Sequence, residues 1–449
     1  MIPLLCEAQS VRRLCFFFLI KNGKRNVLLR VYVRSWTHSK VSAMHILFAH
    51  KNFPAQFRHI IPYLVSQHGF RCTFVSETGA TTTSADVQRI RFETKSHASP
   101  RTSYCARTFE NQMWASQAMF ESLAAQPDLK PDLVVAHSGF FSTGFLRSLF
   151  DCPIVSLFEY YYHPTNSDCD FRSDLFTPTL IQQPRTQMRN AVFLIDAVGC
   201  DVAYSPTWWQ KSRFPKELQP KLSVAHDGID TEYWTPDDVD TEKVCFDVPP
   251  DKKVVTYVSR GFESMRGFDI FMKMAKRVCE ARDDVVFLVA GEDRIVYGGD
   301  KSLTGGRPLK EWLLEQDNYD LDQIRFLGKL DADQLRQLYR RSDLHVYLTA
   351  PFILSWSPLE AMSCGCLLLA SDTEPVLEVV NQGENGLLCD FFDVERMAEL
   401  ANNVLDHPQE HTSMRRAARQ TILDRFSLEV CLPRLADFYH RGLQMTGQI

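Results

Sequence analysis

Residues 344–365 read LHVYLTAPFILSWSPLEAMSCG, and residues 367–370 read LLLA. An apolar run enters a loop that carries Ser355, Trp356, Ser357 and Pro358. A helical pattern begins near Leu359, with Glu360 in its first turn, and LLLA is the next apolar run. Strand, loop, helix, strand is the repeating unit of an open α/β sheet. Hydroxyls and free backbone N–H groups at a helix start form an anion site suited to a phosphate. An ordinary βα turn, with Glu360 merely favouring the helix dipole, has the same pattern, so the flanking chain has to decide.

Upstream, KVVTYVS at 253–259 is a fresh β-pattern, followed by the loop RGFESMRG and a helix from Phe268. Arg260 and Arg266 therefore fall near a helix start. A guanidinium offers paired donors that suit a diphosphate, although solvent-facing arginines would read the same way. Residues 284–290 are the next strand, 295–309 a Gly-rich loop before a helix, and 325–327 a short strand before Gly328, Lys329 and Leu330. Residues 335–341 are helical. After Ala370 a loop leads to VLEVV, Asn385-Gly386 turns the chain into LLCDFFD, and helices are expected over 394–405, 412–424 and 428–441. Pro433 is tolerated near a helix start or at a kink.

The N-terminal half repeats the alternation. HILFAH at 45–50 is a buried parallel strand, KNFPAQF a loop, RHIIPYLVSQHG a helix closed by Gly69, and FRCTFVSE a second strand. This βαβ opening lacks GxGxxG and gives no support for a nicotinamide dinucleotide site. Asn52, Phe53 and Pro54 follow the first strand, at the end where α/β sheets place ligands. A long helix is expected over 103–126, its Met113, Trp114, Met119 and Phe120 serving the core. The strand LVVAH ends in His137, beside the serines and glycines of SGFFSTG, a better site candidate than a lone helical histidine. PIVSLF leads to Glu159, Tyr160, Tyr161 and Tyr162, which suit a polar acceptor cleft or a packed aromatic loop. Residues 163–190 are polar and strand-poor, with the character of a mobile excursion over the cleft, and lead into a helix at 185–199.

The 449 residues exceed the usual size of one core, so two domains are expected. Residues 231–252 hold five Asp, two Glu and three Pro, which marks the boundary. The division is 44–228, a linker at 229–252, a second domain at 253–420 and terminal helices at 421–449 that bridge back to the first domain. A formal charge of −5 gives no reason to expect nucleic acid as a partner. Thirteen scattered cysteines without CxxC argue for reduced thiols in a cytosolic setting, with Cys364 and Cys366 as small buried residues. No run of 18 apolar residues predicts a spanning helix, while peripheral membrane contact stays open. Residues 1–43 carry eight Lys or Arg against Glu7 alone, leaving 42 basic and 54 acidic residues in the remainder. The short apolar run LCFFFLI within them leaves three readings: a signal peptide, a basic membrane-touching arm, or a mis-assigned start upstream of a native Met44. The last is preferred, because a good first strand follows Met44 at once.

Two α/β domains, a central linker and an anion-binding face resemble the retaining glycosyltransferases of family 4, with the GT-B fold of two Rossmann-like domains facing across a cleft. The likeness is carried by HKNFPAQFRH, SPTWWQKSRFP, HDGID, residues 259–267, SWSPLEAMSCG, SDTEPVLEV and ENGLLCDF, and it spans about residues 44–440. The resemblance implies a nucleotide-diphosphate sugar as donor substrate, with no cofactor. Arg260 and Arg266 would hold the donor diphosphate, Arg266 standing where the family usually has lysine. Glu360, the second acidic residue of the family's paired-glutamate motif, would accept the ribose hydroxyls. Backbone around Ser357 and Leu359 would cradle the pyrophosphate. Glu378 would add a contact, and Gly328 and Leu330 would flank the base. His137 would lie near the transferred sugar, and Asn52 and Gln56 in the loop facing donor phosphate and acceptor. His137, Arg260, Arg266 and Glu360 are the catalytic candidates. The position eight residues before Glu360, where the family has glutamate, is Phe352, whose side chain cannot accept hydroxyl hydrogen bonds.

The implied reaction is retaining sugar transfer to a glycan, lipid-linked or small-molecule hydroxyl, at family level in bacterial surface polysaccharide or glycoconjugate synthesis. The implied location is the cytoplasm or the inner face of its membrane. No metal-ligand cluster or DxD stretch of the sequence suggests a metal cradle, so metal-independent chemistry is expected. The alternatives are a GT-B sugar-nucleotide epimerase or phosphorylase, and a non-catalytic sugar-nucleotide or glycan binder, the last motivated by Phe352.

Overall fold

The computed structural model describes residues 14–22, 25–33, 44–79, 87–237 and 246–444. The chain separates into two units, Met1–Met44 and His45–Ile449. In the first, Leu14–Asn22 and Arg25–Val33 form an antiparallel hairpin, so the apolar LCFFFLI run is a strand. The rest of the 1–43 extension, and residues 238–245 of the expected linker, lie outside the described residues.

The second unit holds two sheets whose strands all run parallel. The first has the order Leu222–Val224, Val202–Ser205, Ile154–Leu157, Leu133–His137, His45–Ala49, Arg71–Ser76, Val87–Arg91. The second has the order Ile324–Gly328, Val285–Glu292, Lys253–Gly261, Leu344–Tyr347, Leu368–Ser371, Leu387–Cys389. Both are doubly wound, Rossmann-like sheets: the chain starts in the middle, winds to one edge, then returns and winds to the other. Helices cover both faces of such sheets, so their strands are apolar throughout. Every residue of His45–Ala49, Leu133–His137 and Leu344–Tyr347 is buried. The reversal of winding falls between His45–Ala49 and Leu133–His137 in the first sheet, and between Lys253–Gly261 and Leu344–Tyr347 in the second. Crevices at the carboxyl ends of those strands are where such sheets bind ligands. His137, Arg260 and the 348–358 loop all lie there.

Several boundaries differ from the sequence reading, each for a local reason. The helix expected near Leu359 begins at Trp356 and runs Trp356–Ser363. Ser355 is extended and donates its N–H to the Tyr347 hydroxyl at 3.1 Å, while Pro358 sits in the first turn, where a missing N–H costs nothing. Glu360 is therefore in the second turn. The strand from Lys253 runs on to Gly261, paired with Glu292, so Arg260 belongs to a strand end and not to a loop. Gly267, at φ 64°, starts the Phe268–Ala281 helix, and a Cβ there would lie 2.5 Å from that of Leu348. The 295–309 loop contains a helical turn, Asp300–Leu303.

The expected 185–199 helix is two, Gln182–Met188 and Ala191–Gly199. Between them Asn190 exchanges hydrogen bonds with both backbone groups of Tyr162, at 2.9 and 2.7 Å. The preceding segment is anchored rather than free. Arg172, 3% exposed, bonds both carboxylate oxygens of Asp269 in the second sheet's first helix, at 2.8 and 2.6 Å, and the carbonyl of Ser264. At the chain end Leu428–Leu443 lies on the first sheet. Tyr439 shares a 2.9 Å hydroxyl hydrogen bond with Tyr204 and packs against Phe48. Cys364 and Cys366 are buried free thiols.

Candidate functional site

The loop between the first strand and first helix of the second sheet is tied from both sides. Glu263, 1% exposed, accepts backbone hydrogen bonds from Val296 and Tyr297 at 2.9 and 2.6 Å, and Asp300 accepts from Ser264. These ties fix Arg266, whose Nη1 donates to Thr349 Oγ1 at 2.7 Å, Ile353 O at 3.1 Å and Tyr347 Oη at 3.2 Å. All three acceptors are neutral, and Arg266 is 8% exposed. A guanidinium fixed by one nitrogen to neutral oxygens keeps its charge available for an anion. The same Tyr347 hydroxyl holds Ser355 at the start of the Trp356–Ser363 helix, and no side chain caps that helix. Its first-turn N–H groups at Trp356 and Ser357 are the donors an anion would find. Arg260 is exposed at the end of Lys253–Gly261.

Glu360, 7% exposed, faces the first sheet's side of the cleft. Its Oε1 lies 3.8 Å from Arg58, whose guanidinium sits 4.3 Å over the Trp356 ring. Burial raises the Glu360 carboxyl to about 7; Arg58 opposes the rise and Asp227 adds to it. Arg58, in HKNFPAQFRH, belongs to this site, and the sequence reading of Asn52 and Gln56 in that loop passed over it. A basic residue beside an expected ligand loop was the signal.

Across the cleft, His137 Nε2 lies 3.2 Å from Glu159 Oε2, and Gln56 donates to Glu159 Oε1 at 3.0 Å. A carboxylate only accepts, so His137 carries its proton on Nε2. His137 Nδ1 is buried without a partner, and the His50 ring lies 4.8 Å away edge-on. Burial, then the neighbouring His137, hold His50 well below the usual histidine range. Burial pushes Glu159 up, but the hydrogen bonds from His137 and Gln56, with the charge of Arg266, outweigh it and hold the carboxyl below its ordinary value. The charge of Arg266 thus reaches across to the first domain.

Phe352 is 4% exposed. Its ring meets Tyr160 at 4.8 Å and Tyr297 at 5.3 Å, and the Arg266 guanidinium lies 5.8 Å from its centroid. The Tyr160 hydroxyl lies 2.8 Å from Asp168 Oδ1 and 3.0 Å from Pro351 O and shares its one proton between these acceptors. An aromatic cluster from both domains therefore fills position 352.

The other candidates are spread around this centre. Asn52 turns to the neighbouring loop after the Arg71–Ser76 strand, its side chain accepting from Thr78 at 2.5 Å. Glu378 caps the first domain's Trp208–Ser212 helix, its two oxygens accepting from the N–H groups of Trp208 and Trp209 at 2.8 and 2.7 Å. Leu359 is buried in the core, and Gly328 is exposed at the end of its strand with Leu330 packed just beyond. Among the described residues, no group of three or more His, Cys, Asp or Glu is placed to hold a metal ion. No described helix is long and apolar enough to cross a membrane.

Residues 68–234 match the Glycosyl transferase family 4 group model, and residues 238–421 match Glycosyl transferases group 1. The chain is 24% identical over 200 residues to D-inositol 3-phosphate glycosyltransferase of Mycolicibacterium smegmatis, covering 44% of this chain and 43% of that one. It is 24% identical over 223 residues to N-acetyl-alpha-D-glucosaminyl L-malate synthase of Bacillus anthracis, covering 50% and 54%. The chain spans about half the length of these curated relatives. In fold it is similar to sucrose-phosphate synthase from Thermosynechococcus elongatus, with TM-score 0.66 and 15% identity over 89% of this chain and 98% of that one. It is also similar to Anabaena HepE in complex with UDP-glucose, with TM-score 0.60 and 14% identity over 89% and 100%. The two family models lie in series over the two doubly wound sheets, so the chain has the two Rossmann-like domains of the GT-B fold and is related to the family 4 and group 1 glycosyltransferases.

Proposed function

We propose that this protein transfers a sugar from a nucleotide-diphosphate donor to an acceptor hydroxyl with retention of anomeric configuration, in the assembly of a glycan or glycoconjugate. The observation that carries the reading is Arg266: a buried guanidinium held by neutral oxygens, beside an uncapped helix start and across from the His137–Glu159 pair. Breaking the bond between the anomeric carbon and the diphosphate leaves negative charge on the phosphate oxygens. Arg266, Arg260 and the N–H groups of Trp356 and Ser357 would stabilise that charge in place. The acceptor oxygen bonds to the anomeric carbon, and its proton passes to a donor phosphate oxygen. Glu360 would accept the ribose hydroxyls, displacing its long contact with Arg58, and His137 would sit beside the sugar.

The test is calorimetric titration with UDP-glucose, UDP-N-acetylglucosamine and GDP-mannose, and with UDP and GDP, followed by donor hydrolysis assays. Arg266→Ala is expected to weaken nucleotide binding about ten- to one-hundredfold. Binding and turnover unaffected by Arg260→Ala, Arg266→Ala and Glu360→Ala would overturn the assignment. The aromatic packing of Phe352 favours a second reading, a non-catalytic nucleotide-sugar binder, which would bind donor without turnover.

A further inference from the structure

The reaction outlined above leaves the Glu159 carboxylate unassigned. Glu159 stands at the carboxyl end of the Ile154–Leu157 strand, on the cleft side of the first sheet. Gln56 takes one of its oxygens and His137 the other, each through a single hydrogen bond. A carboxylate has about four acceptor sites, so each oxygen keeps one lone pair free. The Glu159 side chain is 25% exposed. Its backbone is pinned as well: the Glu159 carbonyl accepts from Gln210 Nε2 at 2.5 Å, and the next residue, Tyr160, is locked to Pro351 O and the Phe352 ring. Position 352 itself offers no carboxylate, its phenyl ring closed in by Tyr160, Met265 and Tyr297. Arg266 faces that ring, and its positive charge also acts on Glu159. Glu159 is thus an oriented acceptor on the first domain, beside His137 and opposite the guanidinium assigned to the diphosphate.

We infer that Glu159 accepts hydrogen bonds from hydroxyls of the donor's sugar, supplying from the first domain the acceptor that Phe352 does not supply from the second. This rests on the proposed transfer reaction. A purely structural Glu159, one that only orients His137, makes a different prediction, because it would never sense a particular hydroxyl.

The experiment compares wild type with Glu159→Gln, using the tightest of UDP-glucose, UDP-N-acetylglucosamine and GDP-mannose, its bare nucleoside diphosphate, and its monodeoxy analogues at the sugar's free hydroxyls. Glu159→Gln is expected to bind the bare nucleotide as wild type does and the nucleotide-sugar about ten- to one-hundredfold more weakly. At least one deoxy analogue that costs the wild type affinity should cost the variant nothing further. If Glu159→Gln loses nucleotide binding as well, Glu159→Asp, which keeps the charge but shortens its reach, is put through the same comparison. An unchanged ratio of sugar-nucleotide to nucleotide affinity, or deoxy penalties of equal size in variant and wild type, would overturn the inference and leave the transfer reaction standing. A wild-type protein that binds none of the nucleotides would overturn the transfer reaction, and this inference with it.

Discussion

Glu360 shows how one side chain couples burial to pH. Its folded pKa, about 7, lies above the roughly 4.3 of a free glutamate. The folded state therefore binds the proton more tightly, and the stabilising contribution is complete below about pH 4.3 and lost as pH rises through 7. Relative to Glu360→Gln, the wild type should lose about 3 kcal/mol of unfolding free energy between pH 5 and 8, measured by urea denaturation across that range. Glu263, which burial also raises to about 7, titrates in the same window, so the comparison is made against the Gln variant and not against the bare pH profile. Arg58 pulls Glu360 down, so Arg58→Ala should move the midpoint of any pH-dependent nucleotide affinity upward. An unmoved midpoint would mean that Glu360 does not report on the nucleotide. Glu360 was legible from its place after the apolar run 344–350. Arg58, about 300 residues earlier in the chain, was not, because an ion pair between domains leaves no periodicity in either partner's neighbourhood.

Among the elements, the segment before the Ala191–Gly199 helix departs most from its sequence character. Its polarity and prolines read as a mobile excursion. Yet Ser167 and Asp170 form a capping box on Asp168–Phe171, and Arg172 runs into a buried bidentate pair with Asp269 while lying over the rings of Phe391 and Phe392. Removing one partner of a buried pair leaves an uncompensated charge, typically costing about 3–5 kcal/mol. Arg172→Ala should show that loss in urea unfolding, together with faster proteolytic cleavage near the exposed Leu180. The double variant Arg172→Met, Asp269→Leu should cost clearly less than Arg172→Ala alone. Equal losses would assign the effect to something other than the stranded carboxylate. Composition predicts whether a segment can pack by itself; it does not register a single arginine whose partner lies 97 positions away.

At the scale of the whole molecule, the last helix closes the structure. Leu428–Leu443 leaves the second sheet's side and packs on the first, burying Leu435, Phe438 and Tyr439. Tyr439, with essentially no exposure, touches Phe48 from the first strand and Tyr204 from the sixth strand of the same sheet. Tyr439→Ala should destabilise by about 3–5 kcal/mol through the cavity it opens, whereas Tyr439→Phe, losing one hydroxyl pair, should cost about 1 kcal/mol. Urea midpoints distinguish the two, and a small effect for both would show that the helix is not a structural strap. The alternation of short apolar runs with amphipathic helices determined the two parallel α/β sheets and the order of strand, turn and helix within each. Each of these follows from local chemistry: residues four to eight apart set strand, turn and helix. Tertiary structure alone decided that Glu378 caps a helix of the other domain, that Arg58 reaches Glu360, and that Glu159 holds an open carboxylate between His137 and Gln56. Those pairings depend on how the two sheets close on each other, and the free energy of that closure is spread over contacts far apart in the chain.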